Sequence, residues 1–281
     1  MLSITLVQRS VARAPLRFGR RGVCAIPHPK KAYRGGEDAY MSHPYAIAVA
    51  DGVGGYASHG IDPATYTRNV MRFSLEFMKA DGDTPKQVTA LDALNYGYGK
   101  ANAARQPGGC PVTLATITEG CYASILNLGD CGIVVLRQGK LLYRTEMQQH
   151  SFNCPFQLPE DPPGAGEQAK LEIRAADVFL CTSDGVLDNV ELDRLLLHLN
   201  EVSTLGCGKV AEAIGQEAFR NAQDPRYFSP FARHAAEAGY RYTGGKLDDI
   251  TALVSQVTLD DGEDRETCPP LITQLLGMDK S

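Results

Sequence analysis

Apolar and polar residues alternate along the chain in short blocks, and this pattern predicts a mixed α and β fold. Residues 45–50 form an apolar run that ends at Asp51-Gly52, which is typical of a buried strand leading into a turn. Asp62-Pro63 begins a predicted helix, with aspartate as the N-cap and proline in the first turn. Thr84-Pro85 repeats this signal for a second helix that runs to about Ala104.

The middle of the chain predicts short strands joined by tight turns. Four apolar runs are separated by Glu-Gly, Gly-Asp and Gln-Gly turns, which indicates an antiparallel meander. Two more strands, two helices of which the first is capped by Asn189, and a last strand follow. The predicted ranges are 112–118, 121–128, 132–137, 140–145, 169–174, 178–182, 189–200, 208–222 and 251–257. Helix pairs separated by strands predict an α+β fold with two packed antiparallel sheets and the helices outside.

Charge divides the 281 residues into two unequal parts. Residues 1–36 contain six Arg, two Lys and no acidic residue, whereas the remaining 20 basic and 33 acidic residues give the body a formal charge of −13. So acidic a body argues against nucleic acid as a partner of the folded part. No apolar run approaches the length of a transmembrane helix, so none is predicted.

The first 21 residues, taken as a helix, are Arg-rich and imperfectly amphipathic, with a kink expected at Pro15. Arginines spaced by four, four and three residues share one face: Arg9, Arg13, Arg17 and Arg20. A basic N-terminus without acidic residues is typical of a mitochondrial transit peptide, and we predict delivery to the matrix. A plastid address and a basic arm without a targeting role are the alternatives.

This interpretation divides the chain into three parts. We predict a transit peptide over about residues 1–25, a single domain over 26–260, and a flexible tail over 261–281. The eight cysteines contain no Cys-x-x-Cys pair, and the six histidines form no His-x-x-x-His pair. The sequence therefore indicates neither a zinc site nor a disulfide framework.

Acidic residues recur where apolar strands end or begin. A single Asp-Gly is usually a tight turn, but the pattern occurs repeatedly, at Glu37-Asp38, Asp51-Gly52, Asp130, Asp184-Gly185 and Asp248-Asp249. Carboxylates gathered at one mouth of a core repel one another and require a cation. Oxygen ligands without His or Cys indicate Mg²⁺ or Mn²⁺. Such clusters carry out phosphoryl chemistry.

These motifs stand in the order found in the metal-dependent protein phosphatases of type 2C, and the chain resembles that family over residues 35–257. Within the family it resembles the small mitochondrial and plastid branch. The motifs that carry this likeness are Asp51-Gly-Val-Gly-Gly55, Asn127-Leu-Gly-Asp130, the segment 149–158, Ser229-Pro-Phe-Ala232 and Gly244-Gly-Lys-Leu-Asp-Asp-Ile-Thr251.

The resemblance implies an αββα sandwich with two or three Mg²⁺ or Mn²⁺ ions between the sheets. It also implies hydrolysis of phosphoserine and phosphothreonine on proteins by a metal-bridging water, without a phosphoenzyme. It assigns Asp51 to both main ions, Glu37 and the Gly52 carbonyl to one, Asp184 and Asp248 to the other, and Asp130 with Asp184 to a weaker third ion. Asp38 and Asp249 are expected to support these ligands.

The sequence departs from the wider family at two positions. Val53 follows Gly52 where many members have a histidine that acts as a general acid. The phosphate-binding arginine expected four residues before Glu37 is replaced by Tyr33, so the neighbouring Arg34 is the candidate phosphate contact.

Two other functions are compatible with parts of this pattern. One is a catalytically weak or dead phosphatase fold that binds phosphoproteins. The other is a haloacid-dehalogenase-type phosphotransferase, which requires an Asp-x-Asp motif where this chain has Val53 after Asp51-Gly52. The apolar loops 149–158 and 225–233 are expected to pack over the second helix pair, or else to form a substrate or partner surface near the metal mouth.

Overall fold

The computed structural model describes residues 15–79 and 88–260. Its strands are β1 (Leu16–Ile26), β2 (Ala39–His43), β3 (Ala46–Ala50), β4 (Val112–Thr118), β5 (Tyr122–Leu128), β6 (Gly132–Arg137), β7 (Lys140–Arg144), β8 (Gln149–Ser151), β9 (Cys154–Pro155), β10 (Glu167–Glu172), β11 (Val178–Thr182) and β12 (Ile250–Leu259). Its α-helices are α1 (Pro63–Lys79), α2 (Ala90–Ala103), α3 (Asp184–Leu187), α4 (Leu192–Asn200), α5 (Val202–Leu205), α6 (Cys207–Gln223) and α7 (Pro230–Glu237). Short 3₁₀ helices cover Pro29–Arg34, Gly54–His59 and Pro163–Ala165.

Two five-stranded antiparallel sheets form the centre of the fold. Sheet A has the strand order β1-β12-β11-β6-β7, and sheet B has the order β10-β5-β4-β3-β2. Helices α1 and α2 pack on the outer face of sheet B, and α4 and α6 pack on the outer face of sheet A. The predicted αββα sandwich is thereby confirmed.

Strand β3 shows how the sequence pattern produces these layers. All five of its residues are buried, and successive side chains point to opposite faces. Ala46, Ala48 and Ala50 pack towards α1 and α2, whereas Ile47 and Val49 pack between the two sheets. Small residues therefore face the helices, and β-branched residues fill the space between the sheets.

Strand β1 covers residues that the N-terminal charge pattern assigns to the end of the transit peptide. It pairs with β12 from Leu16↔Leu259 to Ile26↔Ile250. The helix expected over the first 21 residues is therefore wrong for residues 16–21, because pairing with a distant strand outweighs the local arginine spacing. The domain boundary predicted at residue 26 falls at the end of this strand, and residues 1–14 lie outside the described part.

Three other expectations are corrected. The meander is not continuous, because β5 lies in sheet B and β6 in sheet A. Asn189 does not cap a helix: α4 begins at Leu192 after Glu191, and the Asn189 side chain bonds to backbone groups instead. The second helix has Thr89 as its N-cap within a capping box. The start predicted at Thr84-Pro85 and the tail 261–281 lie outside the described residues.

Within residues 15–79 and 88–260, no helix has the length and apolar character needed to cross a membrane.

Phe18 tests whether β1 is an integral part of the fold. Its ring is fully buried and meets Phe179 edge to face, with 5.2 Å between the centroids. We expect Phe18→Ala to lower the free energy of unfolding by about 3–5 kcal/mol, measured by denaturant titration. Leu197→Ala, on an exposed side chain of α4, is the matched control and should change it by less than about 0.5 kcal/mol.

The same measurement on shortened chains extends this test. A chain that begins at residue 15 should unfold like the full chain, whereas one that begins at residue 26 lacks β1 and should be strongly destabilised. Equal stability of the two shortened chains would contradict the role assigned to β1.

Candidate metal centre

Strand register gathers the acidic residues of sheet B at one end of the sheet. Ala39 at the start of β2 pairs with Ala50 at the end of β3, which places Glu37-Asp38 beside Asp51. Strand β4 begins and β5 ends at this same end. Asp130, which follows β5 by two residues, therefore joins them.

Sheet A contributes the remaining carboxylates. Thr182 at the end of β11 pairs with Ala252 near the start of β12, so that Asp184 lies opposite Asp248-Asp249. A Cβ built on Gly185 would lie 2.0 Å from the carbonyl oxygen of Asp249, so glycine is required for this close approach. The structure brings together all the carboxylates that the sequence predicted as metal ligands.

Gly52 makes a second close approach. It is buried, and a Cβ on it would lie 2.6 Å from the carbonyl oxygen of Glu37. The backbone N–H groups of Asp51 and Val53 donate to carbonyls of the 109–111 loop at 3.1 and 3.0 Å. The turn after β3 is thus fixed with the Gly52 backbone next to Glu37.

The carboxylates strongly repel one another. Burial raises the pKa of Asp51 well above its ordinary value, and the charges of Asp184, Asp38 and Asp248 raise it further. Burial and the charge of Asp184 likewise raise the pKa values of Asp130 and Asp248. Several buried carboxylates cannot all ionise unless a cation compensates them.

Some buried carboxylate oxygens of the cluster have no hydrogen-bond partner, among them Oδ1 of Asp38, Asp130 and Asp184. Buried polar atoms are normally bonded, so these lone pairs are available to a ligand. Within residues 15–79 and 88–260, no group of three or more His, Cys, Asp and Glu side chains lies close enough together to hold a metal ion as the side chains stand. The orphaned oxygens and the oxygen-only donor set nevertheless fit Mg²⁺ or Mn²⁺.

Lys31 compensates part of the charge on one side of the cluster. Its Nζ lies 2.5 Å from Glu37 Oε2, 3.1 Å from Asp249 Oδ2 and 3.5 Å from Asp248 Oδ1. Burial alone would lower the pKa of Lys31, but these carboxylates raise it above its ordinary value. The lysine is therefore a permanent positive charge at the rim.

Lys246 compensates charge on the opposite side of the cluster from Lys31. Its Nζ lies 2.5 Å from Asp184 Oδ2 and 2.7 Å from Asp188 Oδ2. Burial opposes the charged form of Lys246, yet Asp184 and Asp188 raise its pKa well above the ordinary value. Burial also acts to raise the pKa of Asp184, but Lys246 more than offsets this and holds it below its ordinary value.

Asp38 and Asp249 support the site from behind. Asp249 accepts the backbone N–H groups of His28 and Glu37 at 2.7 and 3.0 Å. Asp38 Oδ2 accepts the Thr251 hydroxyl at 2.7 Å. Burial and the charge of Asp249 raise the pKa of Asp38 to about 7.

Arg34 lies at the rim and contacts the cluster directly. Its Nη2 donates to Glu37 Oε1, and its Nη1 lies 3.5 Å from Asp62 Oδ1. The side chain is one quarter exposed. The candidate phosphate contact therefore adjoins the predicted ligand Glu37.

Sequence reasoning missed the roles of Lys31, Lys246 and Asp188. Lys246 lies within the motif that identifies Asp248, but a lysine is not a residue type expected at a cation site. Asp188 lies four residues after Asp184, a helical spacing that places both carboxylates on one side of α3 and its C-cap. That spacing was the available signal.

The apolar loops 149–158 and 225–233 meet beside this centre. The rings of Phe152 and Phe231 lie 5.2 Å apart, and Phe152 also stacks on Tyr240 at 5.0 Å. The Phe231 ring centroid is 5.0 Å from Lys246 Nζ. The aromatic cluster therefore borders the Lys246 side of the site.

The chain is similar to known phosphatases. It is 36% identical over 247 residues to "Probable protein phosphatase 2C 80" of Arabidopsis thaliana, covering 84% of this chain and 58% of that protein. It is 31% identical over 270 residues to "Protein phosphatase PTC7 homolog" of Xenopus laevis, covering 88% and 89%. The chain thus spans little more than half of the Arabidopsis relative. No family model matches the chain.

Solved structures share the architecture. The photosystem II phosphatase PBCP is 28% identical with a TM-score of 0.74, and the likeness covers 85% of this chain and 98% of that one. The catalytic domain of the serine threonine protein phosphatase PstP, solved with 2 manganese ions, has a TM-score of 0.63 at 18% identity, with 86% and 99% covered. At that identity the second likeness shows the fold alone.

The raised pKa of Asp38 predicts how pH acts on the metal-free protein and on metal binding. Between its unfolded value of about 3.9 and its folded value of about 7, the folded state holds the extra proton, so stability should fall as pH rises. Divalent ions bind the ionised carboxylates and must displace protons. We expect the rise in Tm caused by Mn²⁺ to grow between about pH 5 and about pH 8.

Thermal unfolding with Mn²⁺ or with chelator measures both effects. Asp38→Asn should weaken the pH dependence, whereas Asp193→Asn, on a residue of the first turn of α4 outside the cluster, should leave it unchanged. A Tm rise with Mn²⁺ that is the same at both ends of the pH range would contradict this prediction.

Proposed function

The chain belongs to the metal-dependent protein phosphatases of type 2C, and from this membership we propose that it hydrolyses phosphoserine and phosphothreonine on proteins. The observation that carries the proposal is the cluster of buried carboxylates with unpartnered oxygens at the shared end of two sheets. Mutual repulsion makes this cluster costly unless divalent cations bind there.

We assign the ligands of two Mg²⁺ or Mn²⁺ ions to residues of this cluster. Asp51 would bridge the ions, Glu37 and the Gly52 carbonyl would bind one, and Asp184 and Asp248 would bind the other. When bound, such ions supply an activated water as nucleophile and neutralise charge on the phosphoryl oxygens.

The surrounding residues hold these ligands and receive the substrate. Asp249 fixes the backbone of Glu37, and Thr251 fixes Asp38 behind Asp51. Arg34, at the rim beside Glu37, would bind the phosphoryl group and orient it. Val53 has no proton to donate, so the leaving group takes its proton from another donor.

We further propose that the substrates are mitochondrial proteins. The support is the Arg-rich, acid-free N-terminus. Because β1 is part of sheet A, a cleavable address that leaves the fold intact would have to end before Leu16. The catalytic domain would then cover residues 16–260, with the 261–281 tail outside it.

Asp51 provides the direct test of catalysis. We expect the purified protein to hydrolyse p-nitrophenyl phosphate and a phosphothreonine peptide only with Mg²⁺ or Mn²⁺. Asp51→Asn should reduce kcat by at least about 10²-fold, because it weakens the binding of both ions. Asp193→Asn is the matched control and should retain full activity.

Activity that persists in chelator would contradict the proposed mechanism. Binding of phosphopeptides without hydrolysis would instead support the catalytically dead alternative.

Targeting is tested with fluorescent fusions. Residues 1–15 and residues 1–36, each fused to a reporter, should both localise to mitochondria, because the address is proposed to precede β1. A diffuse cytosolic signal, or import into plastids in plant cells, would contradict the mitochondrial proposal.

A further inference from the structure

Lys246 lies among carboxylates on the side of the site formed by sheet A. Its Nζ is 2.5 Å from Asp184 Oδ2, 2.7 Å from Asp188 Oδ2 and 3.7 Å from Asp248 Oδ2. The side chain is only 17% exposed, and the ring of Phe231 covers it at 5.0 Å. The ammonium group is thus enclosed by acidic groups and one aromatic face.

The backbone of Lys246 is fixed without help from any carboxylate. Asn189 Nδ2 donates to the Lys246 carbonyl at 2.8 Å, and Asn189 Oδ1 accepts the Lys246 N–H at 2.9 Å. Asn189 is itself anchored, since its Nδ2 also donates to Gly185 O and its carbonyl accepts from Asn221. This clamp fixes the Lys246 backbone beside the cluster through hydrogen bonds that involve none of the proposed metal ligands.

Asp188 gives the lysine a partner that the two proposed ions do not use. It is buried, and its backbone carbonyl accepts the N–H of Phe231 at 3.1 Å. When Asp184 binds an ion, Lys246 retains its contact with Asp188. The ion pair and the metal ligands can therefore coexist.

The charge count leaves little need for another cation. Among the described residues, three cationic side chains contact the cluster: Lys31, Arg34 and Lys246. The cluster contains eight acidic residues: Glu37, Asp38, Asp51, Asp130, Asp184, Asp188, Asp248 and Asp249. With all eight carboxylates ionised, the excess is five negative charges, and it falls to one when two divalent ions bind. A third ion would make the site positive.

The family resemblance implies a weaker third ion at Asp130 and Asp184. We propose that the ammonium group of Lys246 takes the place of this ion, so that the protein binds two exchangeable divalent ions and carries its third cation covalently. This inference rests on the proposed two-ion function. Burial of Asp130 beside Asp184 is then compensated by Lys246 rather than by a metal.

Counting bound ions tests the proposal. The full chain is dialysed against saturating Mn²⁺, and bound manganese is measured by inductively coupled plasma mass spectrometry and by calorimetry. Wild type should bind two ions. Lys246→Met, which keeps the length of the side chain and removes its charge, should bind a third, weaker ion. Lys170→Met removes an exposed lysine paired with Glu119 and should bind two.

A count of three in the wild type, or of two in a folded Lys246→Met, overturns the inference. Lys246→Gln, which also removes the charge and keeps a polar side chain, replaces Lys246→Met if that variant does not fold. It should likewise bind a third ion, and a count of two in a folded Lys246→Gln overturns the inference. Manganese-dependent hydrolysis in the wild type supports the proposed function separately, and a wild type that binds no Mn²⁺ overturns that function itself.

Stability provides a readout independent of activity. In chelator, Lys246→Met leaves Asp184 and Asp188 without their counter-ion, so its Tm should fall more than that of Lys170→Met. Mn²⁺ should then raise the Tm of Lys246→Met by more than it raises that of the wild type. An equal rise in the two proteins counts against the exchange of lysine for metal.

Discussion

The repulsion among buried carboxylates is the interaction on which the rest of this structure depends. Asp51, Asp130 and Asp184 come from three different strand ends; Asp130 and Asp184 are buried, and Asp51 is half-buried. No single strand or helix could hold these carboxylates together, because their mutual repulsion would separate the strand ends that carry them. Only the pairing of strands within each sheet, and the packing of the two sheets, keeps the charges together. The site is therefore a property of the whole sandwich.

Close backbone contacts transmit that packing to the ligands. Gly52 against Glu37, and Gly185 against Asp249, meet at distances that no side chain would permit. Gly52 follows the end of β3, and Glu37 precedes the start of β2. Gly185 follows the end of β11, and Asp249 precedes the start of β12. Burial of the apolar core thus stabilises the packed sheets against the repulsion of the carboxylates. The glycines at two turns allow the close backbone contacts that fix the positions of the ligand oxygens. In each Asp-Gly pair, the aspartate is therefore a candidate metal ligand and the glycine permits the close contact beside it.

Much of this arrangement is predictable from the sequence, for identifiable reasons. An acidic residue after an apolar run is visible locally, so Asp51 and Asp184 can be recognised as candidate ligands from the chain alone. Sheet membership is not local: β5 and β6 both have the pattern of strands, and nothing in their periodicity assigns them to different sheets. Strand β1 was missed for the same reason, since its partner β12 lies more than 200 residues away. Lys246 was overlooked because the expected ligands for a cation site are acidic.

The lysines also explain how such a cluster can exist before any ion binds. Lys31 and Lys246 flank the carboxylates on opposite sides, one towards Glu37 and the other towards Asp184. They reduce the net charge of the metal-free site without filling its centre, where the orphaned oxygen of Asp184 and the carboxylate of Asp51 remain. The lysine ammonium groups and the exchangeable metal ions thus have different roles. The lysines make the charged site tolerable to the fold, and the residual repulsion that they leave at Asp51 favours the binding of metal there.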